Sequence, residues 1–399
     1  MTSIALTPAM TQGTATSTTR RVTKANRLFV FDLARFIAMV MMMQGHVLDA
    51  LVSPAELNIN VFPWNIWHFI RGLTAPVFLL ISGAVFVFAA KRDESGRLTN
   101  ATVWKRTRWA MTIMLVGYML MFPANRIFDL YFVPAEIWKN FFQVNILQLT
   151  GAALILLTLV ARLTRSHEQF GKVSLMIAAG IALLTPFIHN TDVRTFMPEA
   201  FAAYFSYTNG SLFPIFPFAA YSFAGAAIGA FLLKYKGEER LTVMKKHFAP
   251  LGAAVLAGGL LLAELVKITP FIPEHDFYRM DPGFTMIRSG IVLIVLAAIS
   301  HLYAATRRFE NIYAMYGQKA LHIYVGHLIL LFGTPWFGSI GRYHIKDMPL
   351  ADGLLIALAV IAACLGGVYL LETAKKKISN GEKILRFSGA LIMAYLLLV

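Results

Sequence analysis

Apolar runs of about twenty residues, separated by short polar connections, recur along this chain from residue 28 to its end. Nothing else constrains its fold as strongly. A helix rising about 1.5 Å per residue needs about twenty such residues to cross the hydrocarbon of a bilayer. The runs lie near 28–52, 67–90, 103–122, 143–163, 171–188, 212–234, 247–267, 284–305, 317–338, 351–372 and 384–399. They predict an all-α polytopic membrane helix bundle of about eleven transmembrane helices, or about ten to twelve once the short last run and the fifth, bounded by Pro186, are allowed for.

Composition agrees. Charged residues make up 14% of the 399 and hydrophobic ones 57%, whereas a soluble domain carries about 25% charged residues. A single membrane domain over 27–399 is expected. Residues 1–26, rich in Thr, Ser and Ala and ending in Arg20, Arg21 and Lys24, read as a disordered cytoplasmic tail without a signal-peptide core. The net charge of +15 does not point to nucleic acid, because Lys and Arg fall between apolar runs and form no basic stripe with interleaved aromatics. Cys364, the one cysteine, excludes a disulfide framework or a thiolate cluster and reads as a packing residue.

The basic residues set the orientation. Most of the 36 Lys and Arg lie in the tail and in connections 91–108, 162–172, 234–246, 307–319 and 375–386, and the alternate connections hold few. Basic loops stay cytoplasmic, so the amino terminus is expected inside an inner membrane and the carboxyl terminus outside. The outward connections are aromatic and proline-rich, as in NVFPWNIWHF and TPFIPEHDFYRMDPG, and suit the headgroup level.

The first run, RLFVFDLARFIAMVMMMQGHVLDALV, places Asp32, Arg35, His46 and Asp49 where ionisable groups cost about 2.5–3.5 kcal/mol each, so they face the bundle interior or a wet cavity. Eleven steps of 100° bring His46 to within about 20° of Arg35 and about 16 Å along the axis. Arg35 then lies toward the cytoplasm and His46 toward the outer leaflet. Asp49, three residues on, is placed to orient the imidazole or stabilise the imidazolium. A histidine so placed suits a general base or an acyl-accepting nucleophile. The bland alternative pairs Arg35 with Asp32 and leaves His46 on a backbone carbonyl.

Other polar groups recur inside the runs. Asn145 and Gln148 offer amides to a tunnel or to a neighbouring helix. Arg71 precedes Gly72, Thr74 and Ser82, and serves as an outer-interface anchor or as a substrate contact. Tyr324 and His327 form an i,i+3 pair near mid-membrane, with His322 closer to the cytoplasm. Glu264 and Arg288 are expected to pair structurally. No spacing resembles a metal motif such as His-Glu-x-x-His, and no metal is expected.

The Arg, ten residues, His spacing of the first run resembles the acyltransferase 3 signature. FDLARFIAMVMMMQGHV and FIRGLTAPVFLLISGAVF together resemble the heparan-α-glucosaminide N-acetyltransferase-like family. VNILQLTGAALIL looks like that family's Leu-Gln-x-x-Gly helix, FPIFPFAAYSFAGAAIGAFL like its Phe-Pro helix, and ALHIYVGHLIL like its late Tyr-x-x-His helix. The sequence departs from the family at Phe36, where glycine is usual, and at Leu149, where an arginine is usual.

The resemblance implies a transmembrane acyltransferase. Acyl-coenzyme A, with acetyl as the expected group, donates from the cytoplasm to a sugar or envelope glycan outside. His46 is the implied base or acyl carrier, with Asp49 and His327 as catalytic partners. Arg35, Lys105, Arg106 and Arg108, with Asn145 and Gln148, are the candidates for holding coenzyme A, although the basic residues also suit purely topogenic charges. Arg71 and Tyr324 are candidates for the acceptor.

The competing reading is a secondary transporter or exporter using Asp32, Arg35, His46 and His327 as a proton or substrate path. No repeat relates the two halves of the chain, which counts against it. A non-catalytic scaffold is the third option. Membrane lipid surrounds the chain in every reading, and no feature sets its oligomeric state, a homodimer included.

Overall fold

The computed structural model describes residues 28–207, 210–377 and 381–398. The tail read over 1–26 lies outside the described residues. Among these residues all regular structure is helical, with only two isolated β-bridges. The principal helices are α1 (Phe29–Leu51), α2 (Trp64–Gly72), α3 (Thr74–Phe88), α4 (Asn100–Leu120), α5 (Ile146–Leu163), α6 (His167–Asn190) and α7 (Ile215–Leu232). They continue with α8 (Glu238–Ile268), α9 (Pro282–Thr306), α10 (Glu310–Gln318), α11 (Ala320–Phe332), α12 (Leu350–Lys377) and α13 (Gly381–Leu398).

Every apolar run falls on a helix, as expected where lipid leaves no water to satisfy backbone groups. By length and hydropathy, 8 helical stretches are suited to crossing a membrane, counting α2 with α3 and α9 with α10 as continuous. α11 and the end of α13 are apolar but shorter, and α4 carries Lys105, Arg106 and Arg108 in its first half. Pro186 does not end the fifth segment: α6 runs through it to Asn190.

Helix starts follow local chemistry. Thr99 Oγ1 accepts from Thr102 N at 3.2 Å at the head of α4, Ser166 Oγ from Gln169 N at 3.0 Å at α6, and Asp281 Oδ1 from Phe284 N at 3.0 Å at α9.

α1 is the hub. Val30, Phe31, Ala34 and Ala38 pack with Leu80 and Ile81 of α3 and Val292 and Leu296 of α9. Met39, Met43, Val47 and Leu51 pack with Ile323 and Leu331 of α11 and with Val360 and Cys364 of α12. Cys364 is thus a buried packing residue, as read from the sequence. Because several helices enclose α1, Asp32 is buried and Arg35 and His46 are only partly exposed.

α3 and α7 cross with backbones nearly touching. A Cβ on Gly83 would run into the Ser222 carbonyl, and one on Gly225 into the Leu80 carbonyl. Without a hydrophobic drive between helices in lipid, such small-residue contacts carry the packing. Gly225→Ala is expected to cost about 3 kcal/mol, the upper end for overpacking. Gly180→Ala, where a Cβ meets nothing within 4 Å, is expected to be neutral. Thermal unfolding of the detergent-purified variants checks this, and equal midpoints would refute it.

Candidate active site

A cavity of about 670 Å³ runs along α1 between α3, α4, α5 and α11. Arg35 and His46 both line it, so the shared stripe expected from helical periodicity is present. α3 runs back antiparallel to α1, which puts Thr74 and Phe78 near the His46 end and Ser82, Phe86 and Lys91 near the Arg35 end. α4 begins at that same end and adds Lys105 and Arg106. One end of the cavity is therefore cationic, and the other carries an imidazole.

The cationic residues are held differently. Arg106 stacks over the Phe86 ring at 4.0 Å and donates to the Phe86 carbonyl at 3.2 Å, so its guanidinium is fixed at the wall. Lys105 is exposed. Arg108 does not line the cavity: two residues past Arg106 it is turned by about 200° about the helix axis, and it is exposed. Neither amide candidate lines the cavity. Asn145 is the residue before α5 and makes no side-chain cap bond. Gln148 is fully buried against Gly117 of α4, with no hydrogen-bond partner for its amide atoms. The cavity face of α5 belongs to Ile146, Leu147, Thr150, Leu154 and Thr158. Sequence reading missed Thr150 and Thr158, although their eight-residue spacing, with Leu154 between, marks one helical face.

His46 meets His327. Its Nδ1 lies 3.0 Å from His327 Nε2, with the rings 15° from parallel and their centroids 5.3 Å apart. His327 is fully buried, and its Nδ1 lies 3.2 Å from the Ile323 carbonyl. A carbonyl only accepts, so His327 Nδ1 carries the proton and donates. Neutral His327 then offers Nε2 as an acceptor, and His46 Nδ1 donates to it. The nitrogen left to His46 is an unprotonated Nε2. Tyr324, also on the cavity wall, sets its ring edge-on to His327 at 5.2 Å, and Phe332 stands edge-on to His46 at 6.4 Å.

Asp49 makes no direct hydrogen bond to the His46 ring, although its charge stands near it. Its half-exposed carboxylate lies 3.1 Å from Arg71 Nη1, and His327 takes the orienting place at the ring. The i,i+3 spacing correctly put Asp49 near His46 but did not show which neighbour from another helix stood closer to each. Arg71 also reaches the Gly45 carbonyl at 3.5 Å and His68 Nδ1 at 3.3 Å, with its guanidinium over Trp67 at 5.2 Å. Gly45 leaves room for it, since a Cβ there would come within 2.6 Å of Arg71 Cδ. Arg71 is thus held against α1 at Gly45, one residue from His46.

Asp32 is buried beside Gly317. His322 faces a separate apolar groove between α11 and α12. The Glu264–Arg288 pair is not formed: Glu264 binds Lys267 at 2.6 Å, and Arg288 lies over Phe284 at 4.3 Å.

A family model described as the catalytic region of heparan-alpha-glucosaminide N-acetyltransferase matches residues 27–263. The match takes in α1 to most of α8, with His46, Arg71, Lys105 and Arg106, and stops short of His327. No curated protein matches the chain.

Proposed function

Because the chain belongs to the heparan-alpha-glucosaminide N-acetyltransferase catalytic family, and so to membrane proteins of the acetyltransferase type, we propose that it moves an acetyl group from acetyl-coenzyme A to a sugar acceptor across the membrane. The observation that carries this reading is one continuous cavity lined by His46 and by Arg35, Lys91, Lys105 and Arg106. A long donor with phosphates at one end and a thioester at the other suits such a passage. Arginine binds phosphate by paired donors and lysine as a point charge, and the wall between the two ends is mostly apolar. The basic end faces the cytoplasm on the positive-inside bias.

In this reading His46 Nε2 is the base. It takes the proton of the acceptor amine or hydroxyl as that group attacks the thioester carbonyl. The new C–N or C–O bond forms, the C–S bond breaks, and the departing thiolate recovers the proton. His327 holds the tautomer that leaves Nε2 free. The Arg71–Asp49 pair stands beside Gly45, next to His46 at the end of the cavity away from the basic residues.

Proteoliposomes test the reading. Labelled acetyl-coenzyme A added at the basic face is expected to acetylate glucosamine supplied at the other. Failure of the wild-type protein both to bind acetyl-coenzyme A and to transfer label would overturn it. Proton-coupled solute movement without coenzyme A would favour the transporter instead.

A further inference from the structure

The connection between α3 and α4 is a small hairpin, closed by the bridge between Arg92 and Leu98. Asp93 organises its turn, accepting from Ser95 Oγ at 2.6 Å and from Arg97 N at 3.1 Å. Lys91, just before the bridge, lines the cavity, and α4 with Lys105 and Arg106 begins just after it. The hairpin therefore sets where those charges stand.

One side chain fastens it. Arg92 Nη1 donates to the Gly96 carbonyl at 2.6 Å, within the hairpin, and to the Thr164 and Ala161 carbonyls at 2.5 and 3.3 Å, at the end of α5. Nη2 donates to Thr164 Oγ1 at 3.2 Å. The last carbonyls of a helix have no partner within it and carry the negative end of its dipole, so a cation is favoured there. Arg162 returns the contact by donating to the Leu98 carbonyl, and Leu98 is fully buried. Gly96, at φ +75°, lies so close to the Arg165 carbonyl that any side chain would strike it.

We propose that Arg92 is a positioning residue for the donor: it clamps the hairpin to the end of α5 so that Lys91, Lys105 and Arg106 present their charges at the cavity mouth. This rests on the donor reading above. Arg92 and Arg162 spend donors on backbone carbonyls, which separates them from the topogenic charges among which the sequence places them. The guanidinium is required because one planar group must serve several acceptors, and an ammonium matches that geometry poorly.

The test compares two probes on the purified full-length protein. Acetyl-coenzyme A carries the nucleotide phosphates, and S-acetylpantetheine lacks them. Arg92→Ala is expected to weaken acetyl-coenzyme A binding about ten-fold and leave S-acetylpantetheine unchanged, with Arg92→Lys intermediate at about three-fold. Lys91→Ala is expected to weaken acetyl-coenzyme A binding too, and the double variant to be no weaker than Arg92→Ala, since the two act through one mouth. Should the alanine variant fail to fold, the lysine variant carries the comparison.

Wild-type affinity for acetyl-coenzyme A in both Arg92 variants would overturn the clamp alone, as would equal losses for the two probes. Failure of the wild-type protein to bind either probe would overturn the donor reading, and the clamp with it.

Discussion

Replacing His46 with alanine is expected to cut acetyl transfer by about 10²–10⁴-fold, the range for losing a positioned acid–base group, while acetyl-coenzyme A still binds. The split follows from the layout of the cavity. The residues suited to phosphates, Lys91, Lys105 and Arg106, come from the hairpin and α4, whereas His46 is about three-quarters of the way along α1. Truncating the ring removes Nε2 without touching those cations. It also strips His327 Nε2 of its donor, a loss of about 1–3 kcal/mol for a buried group left unsatisfied, so the variant should unfold somewhat earlier. Binding, single-turnover transfer and thermal unfolding on one preparation separate these effects. A folded, acetyl-coenzyme A-binding alanine variant that transfers at the wild-type rate would remove His46 from the chemistry.

What the sequence disclosed, and what it hid, divides along the range of the interactions. Each apolar run became a helix because hydrocarbon leaves the backbone no alternative, and the match over residues 27–263 agrees with the family resemblance. Placement of Arg35 and His46 on one cavity was legible because one helix with a fixed 100° step carries both.

Pairings between helices were not. Asp49 binds Arg71, His46 binds His327 across 281 residues of chain, and Glu264 turns to Lys267 instead of Arg288. Spacing within a helix fixes direction, but the partner depends on which neighbour packs there. Gln148 shows the same limit: its residue type left a tunnel and a neighbouring helix both open, and packing alone decides for Gly117 of α4, giving the cavity to Thr150 and Leu154. The hairpin arginines were hidden for another reason, since a count of basic residues treats a clamped guanidinium and a free one alike.

Substitutions at His327 carry the second large effect, and their order matters more than their size. In the native arrangement the Ile323 carbonyl takes the proton of His327 Nδ1, which leaves Nε2 to accept from His46 Nδ1. A leucine fills much of the space but accepts nothing, so His46 loses the partner that fixes its tautomer and ring orientation. Transfer by His327→Leu is expected to fall by about 10²-fold or more, as when the group that orients a catalytic histidine is replaced. A glutamine retains an acceptor oxygen on a flexible stem, and His327→Gln is expected to recover about ten-fold of that loss. Acetyl-coenzyme A affinity should stay near wild type in both, because His327 is fully buried behind His46 and does not line the cavity. Equal losses in the two variants, with folding intact, would mean that His327 contributes shape and no acceptor; wild-type transfer by the leucine variant would show that the His46 tautomer is set elsewhere.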